Sequence, residues 1–398
     1  MIIALDQAIP YWEDAFSEFG EIRPFPARDL KPENIRGAEA LIVRTVTPVN
    51  ASLLDGSRVR FVAAASAGTD HIDQDYLNRR GISFCYAAGC NADAASEYVI
   101  AALQAIAFRK KWNLKGKSLA VIGVGNVGSR VVKKTRALGM EVLLCDPPLR
   151  DLTGDSRYLD LDGVLEADIL SFHVPLVSEG PYPTRHMIDR NVLARLSSGQ
   201  FLINCARGAV LNNRDLKSAL MERELGGAVL DVWEGEPRID YDLLDLVDIG
   251  TPHIAGSGLD GKIGATEMVR KGLSGYCGIQ PRANMPSPYP KPRMIRPERG
   301  SSGQAAISSV IRQVYDIVGD DVKLRALKRM GTERAAESFQ RLRSEYRLRP
   351  EFRHFAVDLT QHGNLAEAFS ALGFKLKFRI GEGVELEPSP RENDPSDG

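Results

Sequence analysis

The sequence predicts an α/β protein whose parallel sheets are covered by helices. Two observations support this prediction. Short apolar segments alternate with helix-length segments as far as Thr251, and one of the apolar segments, Leu119–Gly123, runs directly into a glycine-rich turn. Strands connected through helices run parallel, because each crossover returns the chain to the same end of the sheet. A chain of 398 residues is long enough for two or three such domains, each with a buried core.

Residues 1–93 are predicted to form a small α/β domain. Apolar segments bounded by polar ones are typical of buried strands, and Tyr11–Phe19, after the first of them, is predicted to be a helix. The predicted strands are Ile2–Leu5, Ala40–Val43, Phe61–Ala64 and Ile82–Cys85. An Ala-rich helix over Asn91–Arg109 then leads the chain into the next domain.

Residues 94–256 are predicted to form a doubly wound domain, in which helices cover both faces of a parallel sheet. A helix over Ser129–Leu138 follows the glycine-rich turn. The predicted strands are Leu119–Gly123, Val142–Asp146, Ile169–His173, Phe201–Asn204, Ala228–Asp231 and Ile249–Thr251.

The remaining residues are predicted to return to the first domain and then to form a third one. Residues 257–285 carry a helix over Lys262–Tyr276 that packs beside the first domain. A stiff linker follows, marked by Pro286, Pro288, Pro290, Pro292 and Pro297. Residues 286–385 make an α+β domain, with helices at Ala305–Ile317 and Glu333–Glu345 and a strand at Phe355–Leu359. The polar residues 386–398 are predicted to be a disordered tail.

Composition excludes several classes of protein. Hydrophobic residues make up 43% and charged residues 26%, as in soluble globular proteins. A net charge of -1 gives no overall attraction to nucleic acid or to an anionic membrane. The N-terminus lacks the basic and apolar regions of a signal peptide, so we expect a cytoplasmic protein. The five cysteines show no metal-ligand spacing, which predicts reduced thiols and no metal site.

The glycine-rich turn predicts a dinucleotide site. Such a turn between a strand and a helix lets the backbone approach a pyrophosphate, and the first N–H groups of the helix then face the phosphates. The next predicted strand ends at Asp146, where a carboxylate accepts hydrogen bonds from the ribose hydroxyls and repels the extra phosphate of NADP. The predicted cofactor is therefore NAD. The turn itself reads Gly123-Val124-Gly125-Asn126-Val127-Gly128.

Three further residues supply the chemistry of a hydroxyacid oxidation. Arg207 follows a predicted strand, at the end of the sheet where doubly wound folds bind ligands, and a guanidinium pairs bidentately with a carboxylate. His253 offers an imidazole that can accept a proton near neutral pH. Glu236 offers a carboxylate that would favour the charged imidazole. We predict that these three residues are catalytic.

The motifs around these residues resemble the D-isomer-specific 2-hydroxyacid dehydrogenase family. They are Asn204-Cys-Ala-Arg-Gly208, Asp231-Val-Trp-Glu-Gly-Glu-Pro237 and Pro252-His-Ile-Ala-Gly256. The resemblance implies a flavodoxin-like substrate domain, a Rossmann NAD domain and a C-terminal dimerisation domain, and hence a homodimer. It also implies roles for the triplet: Arg207 holds the substrate carboxylate, His253 exchanges the proton and Glu236 orients His253.

The resemblance implies further contacts and a substrate class. The substrate would be a small phosphorylated four-carbon 2-hydroxyacid, oxidised at C2. Additional cofactor contacts would come from Val174, Cys205, Ala206, Asp231 and Gly256. Substrate contacts would come from Thr45, Ser66 and Ser257, the last standing where the family has a tyrosine. Candidates to bind the phosphate are Arg44, Arg347 and Arg349.

Two alternatives remain open on the sequence. The catalytic triplet recognises only the 2-hydroxyacid end, so a phosphoglycerate, glycerate or lactate dehydrogenase fits it equally well. A non-catalytic NAD(H)-sensing scaffold would reuse the same fold, since fold does not fix function. The presence of Arg207, Glu236 and His253 together favours an active enzyme.

Overall fold

A computed structural model of the chain describes residues 1–27, 30–281, 289, 291–380 and 383–387. The first 92 residues contain five short strands joined by helices. The strands are β1 (Ile2–Asp6), β2 (Glu21–Phe25), β3 (Ala40–Val43), β4 (Phe61–Ala64) and β5 (Ser83–Tyr86). The helices are α1 (Trp12–Phe16), α2 (Pro32–Ile35), α3 (Ala51–Leu54) and α4 (Gln74–Arg79). All five strands run parallel in the order β2-β1-β3-β4-β5, which is the predicted flavodoxin-like arrangement.

The edge strand β2 was not predicted, and the helix before it is shorter than predicted. β2 contains Pro24 and its first four residues are at least partly exposed, so it lacks the apolar pattern of a buried strand. Helix α1 ends at Phe16, and a single 3-10 turn covers Ser17–Phe19. Strands β3 and β4 are buried along their whole length, as expected for central strands of a parallel sheet.

The next segment begins with a long helix and builds a seven-stranded parallel sheet. The helices are α5 (Ala92–Lys110), α6 (Asn126–Ala137), α7 (Pro147–Thr153), α8 (Arg190–Leu193), α9 (Asn213–Met221) and α10 (Tyr241–Leu246). The strands are β6 (Ser118–Ile122), β7 (Glu141–Cys145), β8 (Tyr158–Leu159), β9 (Ile169–Phe172), β10 (Phe201–Asn204), β11 (Gly227–Leu230) and β12 (Ile249–Gly250). The order β12-β11-β10-β9-β6-β7-β8 reverses between β6 and β9, where doubly wound folds bind dinucleotides. The six predicted strands are confirmed to within about one residue; the two-residue β8 was not predicted.

Helix α11 (Leu259–Cys277) completes the first compact unit, which comprises residues 1–92 and 258–289. Its buried residues Val269 and Leu273 pack in one apolar cluster with Phe61 and Ala63 of β4. The return of this helix to the first sheet agrees with the sequence prediction.

The last segment forms a four-stranded mixed sheet with helices. In chain order its elements are β13 (Arg293–Ile295), α12 (Gly303–Val314), α13 (Ile317–Ala326), α14 (Thr332–Ser344), β14 (Phe355–Asp358), α15 (Ala366–Leu372), β15 (Lys375–Ile380) and β16 (Gly383–Glu387). Only β16 is antiparallel to its neighbour. Strand β16 extends two residues into the predicted tail, whereas 388–398 and the predicted linker prolines Pro286, Pro288 and Pro290 lie outside the described residues.

Residues 93–257 and 290–398 belong to one compact unit. A buried ion pair joins its two stretches: Arg349 lies 2.5 Å from Glu97 of α5, and each side chain is about 3% exposed or less. Glu97 also accepts a hydrogen bond from the Phe352 N–H at 2.7 Å. Asp321 of α13 accepts one from the Gly250 N–H at the end of β12. The boundary predicted between residues 94–256 and 286–385 stays a prediction, because the structure groups both stretches together.

Helix α5 is the centre of this packing. Every residue from Tyr98 to Leu103 is buried, because α5 shares one apolar core with the Rossmann sheet and with the C-terminal helices. Tyr98 contacts Tyr315 edge to face, with ring centroids 6.3 Å apart. Among the helices in the described ranges, none combines the length and the apolar character needed to cross a bilayer.

Candidate active site

The glycine-rich turn has the geometry that the sequence predicts for a dinucleotide site. Gly123 adopts φ +88°, and a Cβ at Gly128 would lie 2.0 Å from the Gly123 carbonyl oxygen, so neither position accepts another residue without a shift. Gly125 precedes the first turn of α6, and the space that its Cβ would occupy is open. Asn126 and Val127 begin α6, where unpaired N–H groups can meet a pyrophosphate. The residues present therefore fit NAD.

Asp146, which follows β7, stabilises this turn through a hydrogen bond. One carboxylate oxygen accepts a hydrogen bond from the Val124 N–H at 2.8 Å, and the other caps α7 by accepting from the Leu149 N–H at 3.0 Å. Each oxygen keeps a second lone pair that can accept from a ribose hydroxyl. Asp146 therefore both shapes the glycine turn and offers the acceptor predicted from the sequence.

Two other predicted cofactor residues lie in this region. Val174 borders the turn, since its Cγ1 would be 2.9 Å from a Cβ at Gly123. The Cys205 thiol lies 3.6 Å from His173 Nδ1. Burial raises the pKa of the Cys205 thiol and lowers the pKa of His173 to about 3, so both side chains are neutral packing groups at physiological pH.

Arg207 stands at the carboxyl end of β10, on a turn held by Asn204. The Asn204 side chain accepts from the Ala206 N–H at 3.1 Å and donates to the Arg207 carbonyl at 3.0 Å. The Arg207 guanidinium donates to the Ala206 carbonyl at 2.8 Å and is half-buried. A Cβ at Gly208 would lie 2.1 Å from the Trp233 carbonyl, so this turn packs directly against the segment that leads to Glu236.

Glu236 and His253 form the hydrogen-bonded pair that the sequence predicts. His253 Nδ1 lies 2.8 Å from Glu236 Oε2, and the Trp233 N–H donates to the other carboxylate oxygen at 2.8 Å. Burial raises the pKa of Glu236, but the hydrogen bond and charge of His253, with smaller effects of the Trp233 N–H and Arg343, hold that pKa below its usual range. An anionic Glu236 favours the Nδ1–H tautomer of His253, in which Nε2 can accept a proton.

Asp231 holds His253 in place. His253 has φ +57°, a backbone conformation that is uncommon for residues other than glycine. Its N–H donates to the Asp231 carbonyl, while the Asp231 carboxylate accepts from the N–H groups of Ile254 at 2.7 Å and Ala255 at 2.9 Å. Burial raises the pKa of Asp231, against the opposing effects of His253 and these hydrogen bonds. Asp231 was predicted to contact the cofactor. In the structure its carboxylate accepts hydrogen bonds from the turn that carries His253.

Sequence reasoning missed two groups beside this pair. Glu234 contacts His186 at 2.6 Å and accepts from the Asn213 N–H at 2.8 Å, which fastens the segment before Glu236. Arg343 lies 3.9 Å from Glu236 Oε2 although it is far away in the chain. The repeated acid in Trp233-Glu-Gly-Glu236 could have drawn attention to Glu234; Arg343 carries no local signal.

The predicted substrate residues Thr45 and Ser66 lie in the first compact unit. Thr45 follows β3 and is exposed, and Ser66 follows β4 with its hydroxyl donating to the Gly68 carbonyl at 2.9 Å. Arg44 forms an ion pair at 2.7 Å with the fully buried Asp6. In the second unit, Ser257 comes directly after Gly256 and donates its N–H to the Ile254 carbonyl.

Of the other phosphate candidates, Arg349 is ruled out and Arg347 remains. The guanidinium of Arg349 is buried against Glu97 and stacks on the Tyr315 ring, 4.2 Å from its centroid. Arg349 therefore stabilises the fold, and the prediction that it binds a substrate phosphate is wrong. Arg347 is exposed, and its role stays a prediction.

Comparisons with known proteins agree with this geometry. Residues 95–255 match the D-isomer specific 2-hydroxyacid dehydrogenase, NAD binding domain, and residues 288–373 match a domain of unknown function (DUF3410). Erythronate-4-phosphate dehydrogenase of Chromohalobacter salexigens is 41% identical over 385 residues, which cover 95% of this chain and 99% of that protein. The chain belongs to the erythronate-4-phosphate dehydrogenase family. The relative from Yersinia enterocolitica, with the same name, is 41% identical over 380 residues, or 95% of this chain and all of that protein.

Solved structures of other proteins have a similar fold. The TT0316 protein from Thermus thermophilus superposes with a TM-score of 0.60 at 26% identity, over 71% of this chain and 99% of that one. D-lactate dehydrogenase from Aquifex aeolicus, solved with NAD and lactic acid, superposes with a TM-score of 0.58 at 24% identity, over 70% of this chain and 96% of that one. Membership of the erythronate-4-phosphate dehydrogenase family confirms the predicted class, an NAD-dependent 2-hydroxyacid dehydrogenase.

Proposed function

We propose that this protein oxidises 4-phospho-D-erythronate at C2 to (R)-3-hydroxy-2-oxo-4-phosphooxybutanoate, a step of pyridoxal 5'-phosphate biosynthesis. The observation that carries the proposal is the 2.8 Å contact between His253 and Glu236, in a chain that is 41% identical over nearly its whole length to erythronate-4-phosphate dehydrogenases. A general base oriented by a carboxylate is what the oxidation of a secondary hydroxyl needs.

His253 is the proton acceptor in this proposal. The C2 hydroxyl transfers its proton to Nε2 of His253, and the proton remains there on the imidazolium. The hydrogen bonded to C2 leaves as a hydride while the C2 carbonyl forms. Glu236 stabilises the imidazolium through its contact with Nδ1. In the reverse direction the imidazolium returns the proton to the oxygen. Arg207 binds the C1 carboxylate bidentately and so fixes C2 relative to the base.

The nicotinamide cofactor supplies the acceptor for the hydride. The residues that hold it are the glycine turn, with Gly123, Gly125 and Gly128, and the Asp146 carboxylate. Helix α6 would offer its N-terminal N–H groups to the pyrophosphate, and Asp146 would disfavour a 2′-phosphate by charge repulsion.

The finer features of the proposal concern the substrate's other end and the assembly. Thr45, Ser66 and Ser257 contact the substrate, and Arg44 is the nearest cation in sequence to these residues that can meet its phosphate. Ser257 is smaller than the tyrosine of the family, so we propose that the serine hydroxyl or a water fills that position. We further propose a cytoplasmic homodimer, with the C-terminal segment in the dimer contact.

The test is a comparison of kcat/KM for 4-phospho-D-erythronate with kcat/KM for D-erythronate, D-glycerate and 3-phospho-D-glycerate. Each assay contains NAD and a 2-oxoacid acceptor, so that a tightly held cofactor is reoxidised. We expect a preference of at least about a hundredfold, equal to about 2.7 kcal/mol in the transition state. Equal rates across the panel, or a preference for 3-phospho-D-glycerate, would reject the proposed substrate and leave the dehydrogenase class standing.

A further inference from the structure

The C-terminal segment brings a cation to the catalytic pair of its own chain. Arg343 lies in the last turn of α14, and its Nη1 is 3.9 Å from Oε2 of Glu236, the same oxygen that contacts His253. At this distance the guanidinium acts through its charge, since a hydrogen bond requires a closer approach. The side chains of Arg343 and Glu236 are 30% and 16% exposed, so solvent screens the interaction only in part.

Helix α14 is held in this position at two places. Ala335 and Phe339 are buried in one apolar cluster with residues of the Rossmann domain, including Leu230 of β11 and Trp233. At the start of the helix, Glu333 accepts two hydrogen bonds, at 2.8 and 3.2 Å, from the guanidinium of Arg238. Because Arg238 comes two residues after Glu236, α14 is tied to the same loop that carries the catalytic carboxylate.

We propose that Arg343 is a positioning residue of the active site: its charge keeps Glu236 anionic and opposes protonation of His253, so that the imidazole is ready to accept the substrate proton. The proposal rests on the role of the Glu236–His253 pair given above. It assigns a catalytic contribution to the segment that matches a domain of unknown function.

The charged groups that act on His253 or on Glu236 include side chains from three elements. Glu236 is in the loop after β11, Asp231 lies at the end of β11 and its charge interacts with His253, and Arg343 faces Glu236 from α14. The two carboxylates favour the imidazolium, whereas the guanidinium opposes it. Removal of the guanidinium should therefore leave the imidazolium more stable relative to the neutral imidazole.

The loss of the Arg343 charge should change oxidation and reduction in opposite directions, which distinguishes it from damage to the fold. Oxidation needs a neutral imidazole and reduction needs an imidazolium. In Arg343→Met we expect the midpoint of the pH profile of kcat/KM for oxidation to rise by about half a unit or more, which lowers the rate about threefold on the acidic side of the profile. Reduction of the 2-oxoacid on the alkaline side should become about threefold faster. A distorted site would slow both directions.

Two further variants control the experiment. Arg343→Lys keeps a positive charge on a side chain of similar length and should restore most of the wild-type profile. Arg341→Met removes an exposed cation from the same helix and should leave the profile unchanged. Raising the salt concentration should move the wild-type profile towards that of Arg343→Met, because the pair is partly exposed.

The decisive measurement needs no substrate. The ring resonances of His253, identified by their loss in His253→Gln, are titrated by NMR in wild type and in Arg343→Met. A higher midpoint in Arg343→Met, with Arg343→Lys close to wild type, supports the proposal even if the substrate assignment fails. Equal midpoints in all three proteins, or an equal shift in Arg343→Lys and Arg343→Met, would overturn it.

Discussion

At the scale of single residues, the site depends on hydrogen bonds that fix side chains before a substrate arrives. His253 has its Nδ1 held by Glu236 and its backbone held by Asp231, so one rotamer and one tautomer are favoured. Such preorganisation lowers the entropic cost of reaching the transition state. The carboxylate of Glu236 stabilises the protonated imidazole of His253.

Glu236→Gln should lower kcat/KM by about a hundredfold or more, because the amide cannot offset the charge of the imidazolium. The pKa of Glu236 is depressed in the fold, so its carboxylate stabilises the protein above its usual pKa, and this contribution is lost as pH falls through the depressed value. The difference in free energy of unfolding between wild type and Glu236→Gln should therefore shrink at acidic pH. Steady-state kinetics and urea unfolding at several pH values check both expectations.

Glu234→Gln is the matched control for this prediction. Glu234 belongs to the same loop but contacts His186 and the Asn213 N–H rather than His253. Its substitution should loosen the loop and lower stability by about 1 kcal/mol while kcat/KM falls far less than in Glu236→Gln. An equal loss of kcat/KM in the two variants would show that the Glu236 effect is structural.

Gly208→Ala should damage both stability and activity. The new Cβ would lie 2.1 Å from the Trp233 backbone, which cannot move without displacing the loop that carries Glu236. We expect a loss of about 2 kcal/mol in the free energy of unfolding and a clear fall in kcat. Gly264→Ala in α11 meets open space and should be neutral or stabilising by up to about 1 kcal/mol. Urea unfolding of both variants tests the contrast, and a stable, active Gly208→Ala would contradict it.

At the scale of secondary structure elements, α5 connects the Rossmann sheet to the C-terminal helices. Its Glu97 pairs with Arg349 and also accepts from the Phe352 N–H, all within the protein interior. A buried ion pair contributes little net stability when intact, yet breaking it leaves an uncompensated charge. This asymmetry gives a prediction that also separates the structural role of Arg349 from substrate binding.

Arg349→Met should cost about 3 to 5 kcal/mol in the free energy of unfolding, because Glu97 would be left buried and charged. The double variant Glu97→Gln with Arg349→Met should recover part of this loss. Any fall in kcat/KM should be the same for phosphorylated and unphosphorylated substrates. A selective rise in KM for the phosphorylated substrate would instead place Arg349 at the phosphate.

At the scale of the whole molecule, motifs with strict backbone requirements could be predicted, whereas features set by tertiary contacts could not. The glycine turn, Asp146 and the strands of the Rossmann sheet follow from local patterns, whereas the pairing of Glu236 with His253 was implied by the resemblance to the dehydrogenase family. Strand β2 was missed because its exposed, proline-containing sequence lacks the apolar pattern of a strand. Arg343 was missed because helix packing alone brings it to Glu236.

The same packing makes the C-terminal segment part of the folding unit. Residues 290–398 share a compact unit with residues 93–257, and Ile311, Tyr315 and Phe352 lie in one core with Tyr98 of α5. Helix α5 has apolar and charged groups, Tyr98 and Glu97, that contact residues of the C-terminal segment.

A chain that ends at residue 289 should therefore lose cooperative folding of the NAD-binding unit. Truncation would expose the Tyr98 face of α5 and leave Glu97 without Arg349, at a cost of several kcal/mol, a large share of the stability of a typical domain. We expect an aggregation-prone protein with a broadened unfolding transition and little NAD binding by calorimetry. The full chain carrying Arg349→Met should be intermediate and retain a single transition. A truncated chain that unfolds cooperatively and binds NAD with wild-type affinity would show that the Rossmann domain folds independently of the C-terminal segment.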